Sequence, residues 1–136
     1  MKKKIIFLLI SLIVVTFIAV PFVLIYILNH GNPYEKFIVT KNVSTHLEAM
    51  GYTDDDLLNQ SYIEPKYLIN DSVYHGHYKV VFADEPHLEY LYGVTKRDKE
   101  VVQFCEKETF IEESSYWERT TEKTNHSEDE CTDYMN

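Results

Sequence analysis

YHGHYKVVFADEPHLEYLYGV, Tyr74–Val94, is the stretch whose pattern decides how this chain folds. Tyr74, Gly76, Tyr78, Val80 and Phe82 alternate with His75, His77 and Lys79. Leu88, Tyr90, Tyr92 and Val94 then alternate with His87, Glu89 and Gly93. A period of two, rich in aromatic and β-branched residues, is the mark of half-buried strands, and Asp84-Glu85-Pro86 between the runs is turn chemistry. A shared buried face requires even positions to meet even positions, so Phe82 is expected opposite Leu88, Val80 opposite Tyr90 and Tyr78 opposite Tyr92.

Working outward, the charged turn Lys96 to Lys99 leads to Val102 and Phe104. The same parity sets Val94 opposite Glu100, Tyr92 beside Val102 and Tyr90 beside Phe104. On the other side, Ile63, Pro65, Tyr67 and Ile69 alternate with Tyr62, Glu64, Lys66 and Leu68, before an Asn70-Asp71 turn. These runs make four strands in an antiparallel meander. Val39, Val43, Leu47 and Met50 recur at helical spacing and supply the cover for the one apolar face. Gly51 stands where a helix ends in a left-handed residue, and Thr53 caps a short turn from Asp54 to Leu58. The expected class is α+β: one helix packed on a four-stranded antiparallel meander, within residues 29–108.

Two flanking segments differ in kind. Residues 5–28 carry no charge, and 19 of these 24 are Ile, Leu, Val or Phe. Insertion into a bilayer is favoured by roughly 6 to 11 kcal/mol, and about 36 Å of helix spans the hydrocarbon core with some tilt. Pro21 is expected to bend this helix near Phe17, with Thr16 satisfying part of the defect. Lys2, Lys3 and Lys4, in the basic start 1–4, set the N-terminus on the cytoplasmic side and the rest outside. A cleaved signal peptide is the rival reading, but its apolar core is shorter and ends in a small-x-small pattern absent here. Residues 109–136 are rich in Glu, Thr and Ser without Gly or Pro, and are expected to form an acidic, mostly disordered tail. Phe110, Ile111, Tyr116 and Trp117 make a small apolar cluster within it.

The formal charge is −9. Removing the three N-terminal lysines from the 13 basic residues leaves 10 against 22 acidic ones, so everything after Leu28 carries −12. Such a domain repels phosphate backbones, which makes nucleic acid a poor partner. It suits cations, cationic peptides or a basic protein face, beside the lipid bilayer met by residues 5–28.

Chemistry-bearing residues are few. His75 and His77 share a strand face and are the best metal suggestion, but neither His87 nor Glu89 converges on them in the expected register, so solvated surface histidines are the better reading. Asp54, Asp55 and Asp56 lack the alternate spacing and glycine of a calcium loop, and fit a helix start. Asp84 and Glu85 are the acid and base candidates of a small hydrolase, set against plain turn chemistry. Tyr74, Tyr78, Tyr90 and Tyr92 fit core packing better than a ligand platform. Cys105 and Cys131 are the only thiols; a disulfide tying the tail to the last strand and a free Cys105 both remain open. Asn42, Asn59, Asn70 and Asn125 head four Asn-x-Ser patterns. No metalloprotease, nucleophile-elbow, P-loop or dinucleotide motif occurs, no cofactor is expected, and the reading is a non-enzymatic binding or accessory module.

The layout resembles a family of small single-pass proteins of Gram-positive Firmicutes, domain of unknown function 3139. The resemblance rests on the basic start and apolar segment, on Gly31-Asn32-Pro33-Tyr34-Glu35-Lys36, and on Leu47-Glu48-Ala49-Met50-Gly51-Tyr52. It also includes Phe82-Ala83-Asp84-Glu85-Pro86 and Tyr90-Leu91-Tyr92-Gly93. It spans roughly residues 1–108, implies a bacterial cell-envelope setting, and supplies no catalytic residues.

Overall fold

The computed structural model describes residues 2–67, 70–112 and 114–135. The chain divides into two compact units, residues 1–33 and 34–136.

The first unit is helix α1, Lys2–His30, which buries none of its side chains. Apolar residues surround it on every side, a surface that water solvates poorly. A helix this long and apolar meets the requirement for a membrane span, and a signal sequence meets it equally. Pro21 lies inside it. The Thr16 hydroxyl donates to the carbonyl of Leu12 at 2.8 Å, one turn below Phe17, so it does not serve the carbonyl that the proline leaves free.

Helix α2, Pro33–Ala49, lies in the second unit but for its first residue, and buries Val39, Val43 and Leu47 as the helical spacing predicts. Met50 falls past the helix end and is 47 % exposed. Gly51 has φ +92°, and the amide of Tyr52 turns back to the Leu47 carbonyl at 3.0 Å. A β-carbon resists that conformation, which is why glycine ends the helix. A single 3-10 turn follows, Asp54–Asp56. The Asp56 carboxylate accepts from the Thr53 amide and hydroxyl, each at 2.8 Å, and these bonds hold its carboxyl below the usual range. Asp54 and Asp55 stay exposed.

Among the described residues seven strands make one mixed sheet, in place of the expected four-stranded meander. They are β1 Leu57–Ile63, β2 His77–Phe82, β3 Leu88–Val94, β4 Val101–Phe104, β5 Lys107–Ile111, β6 Tyr116–Thr120 and β7 Cys131–Thr132. The main order is β1-β2-β3-β4-β7, all antiparallel except the parallel β4–β7 pair; β5 pairs with β3 and β6. The first strand begins at Leu57, earlier than its alternation suggested, and ends at Ile63. Leu68 and Ile69 lie outside the described residues. Pro65 cannot donate to a ladder, which explains the early end.

The β2–β3 register is the predicted one, Tyr78 opposite Tyr92 and Val80 opposite Tyr90. The β3–β4 register is not. Tyr92 faces Gln103, Gly93 faces Val102 and Val94 faces Val101, one residue from the expected pairing. A slip of one carries every side chain of β4 to the opposite face. Phe104 therefore leaves the helix side and Gln103 enters it. The sheet has two apolar faces as a result. On the helix side, Val39, Val43 and Leu47 of α2 pack with Tyr74, Tyr78, Val80, Phe82, Leu88, Tyr90, Tyr92 and Val94. On the reverse lie Val73, Leu91, Phe104 and Tyr134, with Ile63 and Val102 against them.

That second face explains the C-terminal segment, which is not disordered as its composition suggested. It supplies most of β5 and all of β6 and β7, and Phe110 pairs with Trp117 across the β5–β6 hairpin, ring centroids 5.2 Å apart. Cys105 and Cys131 form a disulfide, Cα atoms 5.0 Å apart. The chain thus passes over the helix side of the sheet, runs along β4 as β7, and drops Tyr134 onto the reverse.

Candidate functional site

The densest polar chemistry lies where residues 121–130 cross the helix side of the sheet. Two residues of the β2–β3 turn anchor it. Asp84 Oδ1 meets His126 Nε2 at 2.7 Å, and the Glu85 carboxylate accepts from the Tyr90 hydroxyl and, at 3.4 Å, from the Asn125 amide. His126 stacks on Phe82 with ring centroids 3.8 Å apart, and its Nδ1 lies 2.9 Å from the Tyr52 hydroxyl. With the proton on Nε2, one tautomer satisfies both bonds: His126 donates to Asp84 and accepts from Tyr52.

Tyr52, His126 and Asp84 therefore line up as hydroxyl, base and carboxylate. Their electrostatics oppose catalysis through the hydroxyl. Burial, and then the charges of Glu128, Asp84, Asp56 and Glu85, push the Tyr52 phenol up, so it stays protonated near neutral pH. A nucleophile needs the opposite shift.

A second line of groups runs beside the first. Lys107, only 2 % exposed, donates to Ser127 Oγ at 3.1 Å and to the Cys105 carbonyl at 3.3 Å. Ser127 Oγ lies 3.0 Å from Thr124 Oγ1, which lies 2.5 Å from the Tyr90 hydroxyl, which in turn meets Glu85. Since the Glu85 carboxylate only accepts, Tyr90 donates to it, Thr124 to Tyr90, Ser127 to Thr124 and Lys107 to Ser127. Three hydroxyls thus join a buried ammonium to a buried carboxylate. Burial holds the Lys107 amine below its ordinary range, and the charges of Glu85 and Glu106 oppose that. A serine beside a lysine is one way to make a nucleophile, but here Ser127 receives a proton bond from Lys107 and the Thr124 amide, and passes its own to Thr124.

Gln103 closes the network. Its amide nitrogen donates to Tyr92 and to the His126 carbonyl, and its oxygen accepts from the Glu128 amide, each at 2.8 Å. Glu128 reaches His46 of α2, also at 2.8 Å. The arrangement is a latch: Thr124, Asn125, His126, Ser127 and Glu128 each meet a group from the sheet, its β2–β3 turn or α2.

The other sequence candidates stand apart from it. His77 is not a solvated surface residue. It is 1 % exposed, against Phe104 and Tyr134 with ring centroids at 4.7 and 5.3 Å. The cause is the slipped register, which fills the reverse face. Burial, and next His75, push the His77 imidazole down to about 4. Nδ1 of His75 and of His77 finds no partner among the described residues, and no group of three metal-ligating side chains occurs among them. His87 is exposed, and Glu89 pairs with Lys79 at 2.9 Å. Tyr74, Tyr78, Tyr90 and Tyr92 pack in the core under α2. Of the Asn-x-Ser asparagines, Asn70 is buried with its amide on the Asp133 carbonyl, and Asn42 bonds the Ile38 carbonyl within α2.

Sequence reasoning named Asp84 and Glu85 and missed Gln103, Lys107, Thr124, His126, Ser127 and Glu128. The one trace in the sequence is Asn125-His126-Ser127, an Asn-x-Ser acceptor pattern. No curated protein and no solved structure matches the chain. A family model described as "Protein of unknown function (DUF3139)" matches residues 2–92, which takes in α1, α2, β1, β2 and most of β3 and stops before Gln103, Lys107 and the crossing segment. The chain belongs to the DUF3139 family.

Proposed function

We propose that this protein is a single-pass membrane protein of the bacterial cell envelope, held by residues 5–28 with its N-terminus in the cytoplasm, whose sheet domain works outside as a binding or accessory module. The observation that carries the reading is the Cys105–Cys131 disulfide in a chain with no other cysteine. Disulfides persist in oxidising compartments, and a basic start before an apolar span directs the downstream chain across the membrane. The cross-link and the charge bias are independent of one another, and they agree.

Binding is favoured over hydrolysis by the state of the polar groups. Asp84 and Glu85 are engaged by the latch, Tyr52 is held as a phenol, and Ser127 is an acceptor for Lys107. The net −12 after Leu28 suits a cationic protein or peptide partner. Photo-crosslinking of the full-length chain in intact cells, with the probe placed in turn on each face of the sheet, tests this. One face is expected to give a discrete adduct that weakens as salt rises. A chain that stays free of adducts from every position contradicts the reading.

A further inference from the structure

β1 is the least protected edge of the sheet. It pairs with β2 on one side, and no described strand pairs with the other. Folded proteins blunt such edges with charges, proline or shortness, because unpaired backbone groups invite another strand. At the other side of the sheet β7 is two residues long and β6 carries Glu118 and Arg119. β1 reads Leu57-Leu58-Asn59-Gln60-Ser61-Tyr62-Ile63, seven residues with neither charge nor proline. Its one irregularity is the register shift between Leu57 and Asn59. Leu58 is left 62 % exposed.

Beside this edge, between the end of α2 and β1, lies a cleft of about 370 Å³. Leu47, Leu57 and Tyr52 give it an apolar floor, and Glu48 and Asp54 stand on its rim. Neither carboxylate has an ion-pair partner among the described residues. Asp84, Glu85 and Glu128 are engaged within the latch, whereas these two face solvent.

We propose that β1 and this cleft form one docking groove for an extended segment of a partner protein. The segment adds as a strand to the β1 edge and lays a Lys or Arg side chain into the cleft. The inference rests on the binding-module reading and gives it a site and a partner chemistry. Main-chain bonds along the edge supply affinity without demanding a sequence, and the cleft supplies selection. A Lys or Arg stem covers the Leu47–Leu57 floor while its head reaches Glu48 and Asp54. A second copy fits less well. Antiparallel pairing of β1 with itself about Gln60 sets Asp56 opposite Glu64 twice, and brings two strongly acidic domains together.

The test titrates the full-length chain in detergent micelles with three short peptides, reading binding by calorimetry and the site by amide exchange. The first alternates Lys and Val, the second has Glu for Lys, and the third is the first with alternate amides N-methylated. Saturable binding of the Lys peptide is expected, with slowed exchange in β1. The Glu and N-methylated peptides are expected to bind at least about tenfold more weakly, and Glu48→Gln with Asp54→Asn to weaken the Lys peptide roughly fivefold. Both substitutions are at exposed positions, and an unchanged exchange pattern in the free variant shows that it folds.

Equal binding of the N-methylated peptide overturns the proposal, as does binding that ignores the two carboxylates, absence of saturable binding, or dimerisation through β1. Slowed exchange on another face removes this groove and leaves the binding-module reading standing. That reading fails by a different result, a sheet domain found on the cytoplasmic side.

Discussion

His77 is a titratable ring with no hydrogen-bond partner at Nδ1 among the described residues, enclosed by Phe104 and Tyr134. Its pKa falls from 6.5 to about 4 on folding. The unfolded chain therefore takes up a proton that the folded chain refuses. Stability is complete above pH 6.5 and declines as pH drops toward 4, by roughly 3 kcal/mol over the window. Urea unfolding at about pH 7 and about pH 4.5 measures this, and His77→Phe is expected to remove most of the difference. Gln103 gives a second prediction. Gln103→Leu leaves Tyr92, the His126 carbonyl and the Glu128 amide without their partner, and is expected to cost about 2–4 kcal/mol. Faster amide exchange in residues 121–130 is the accompanying sign. The site was legible at Asp84 and Glu85, because acidic residues before a proline announce a turn whatever lies around them. His126, Ser127 and Lys107 were not legible, because their role depends on contacts between segments far apart in the chain.

At the scale of elements, the β2–β3 hairpin could be read from the chain because alternation and turn chemistry are both local. The β3–β4 register could not. Val101 and Val102 are adjacent and both apolar, so either parity puts a valine inward. Gly93 and Phe104 favour the observed pairing. A Cβ on Gly93 would stand 2.9 Å from Cζ of Phe104, so the ring lies over backbone that only glycine leaves open. Gly93→Ala is expected to destabilise the domain by about 1–3 kcal/mol in denaturant unfolding. The order of the tail is hidden in the sequence for a related reason. Its composition is that of a disordered segment, yet a disulfide and a second apolar face hold it in place. Replacing both Cys105 and Cys131 with Ser opens a covalent loop spanning 26 positions, at a cost of about 3–4 kcal/mol. Amide exchange should speed up first in β7 and the latch, while the β2–β3 pair keeps its protection.

Across the whole molecule, two kinds of surface divide the chain. Residues 5–28 are apolar on all sides, whereas the sheet unit is acidic and cross-linked. The central claim is that the first lies in lipid and the second faces the oxidising side. Labelling of Cys105 and Cys131 in intact cells with a membrane-impermeant maleimide, before and after a membrane-impermeant reductant, measures both halves together. The account predicts full-length, membrane-bound protein that takes up no label at first and two labels after reduction. Label that enters only once the cells are broken, or a sheet unit released from α1, would contradict it.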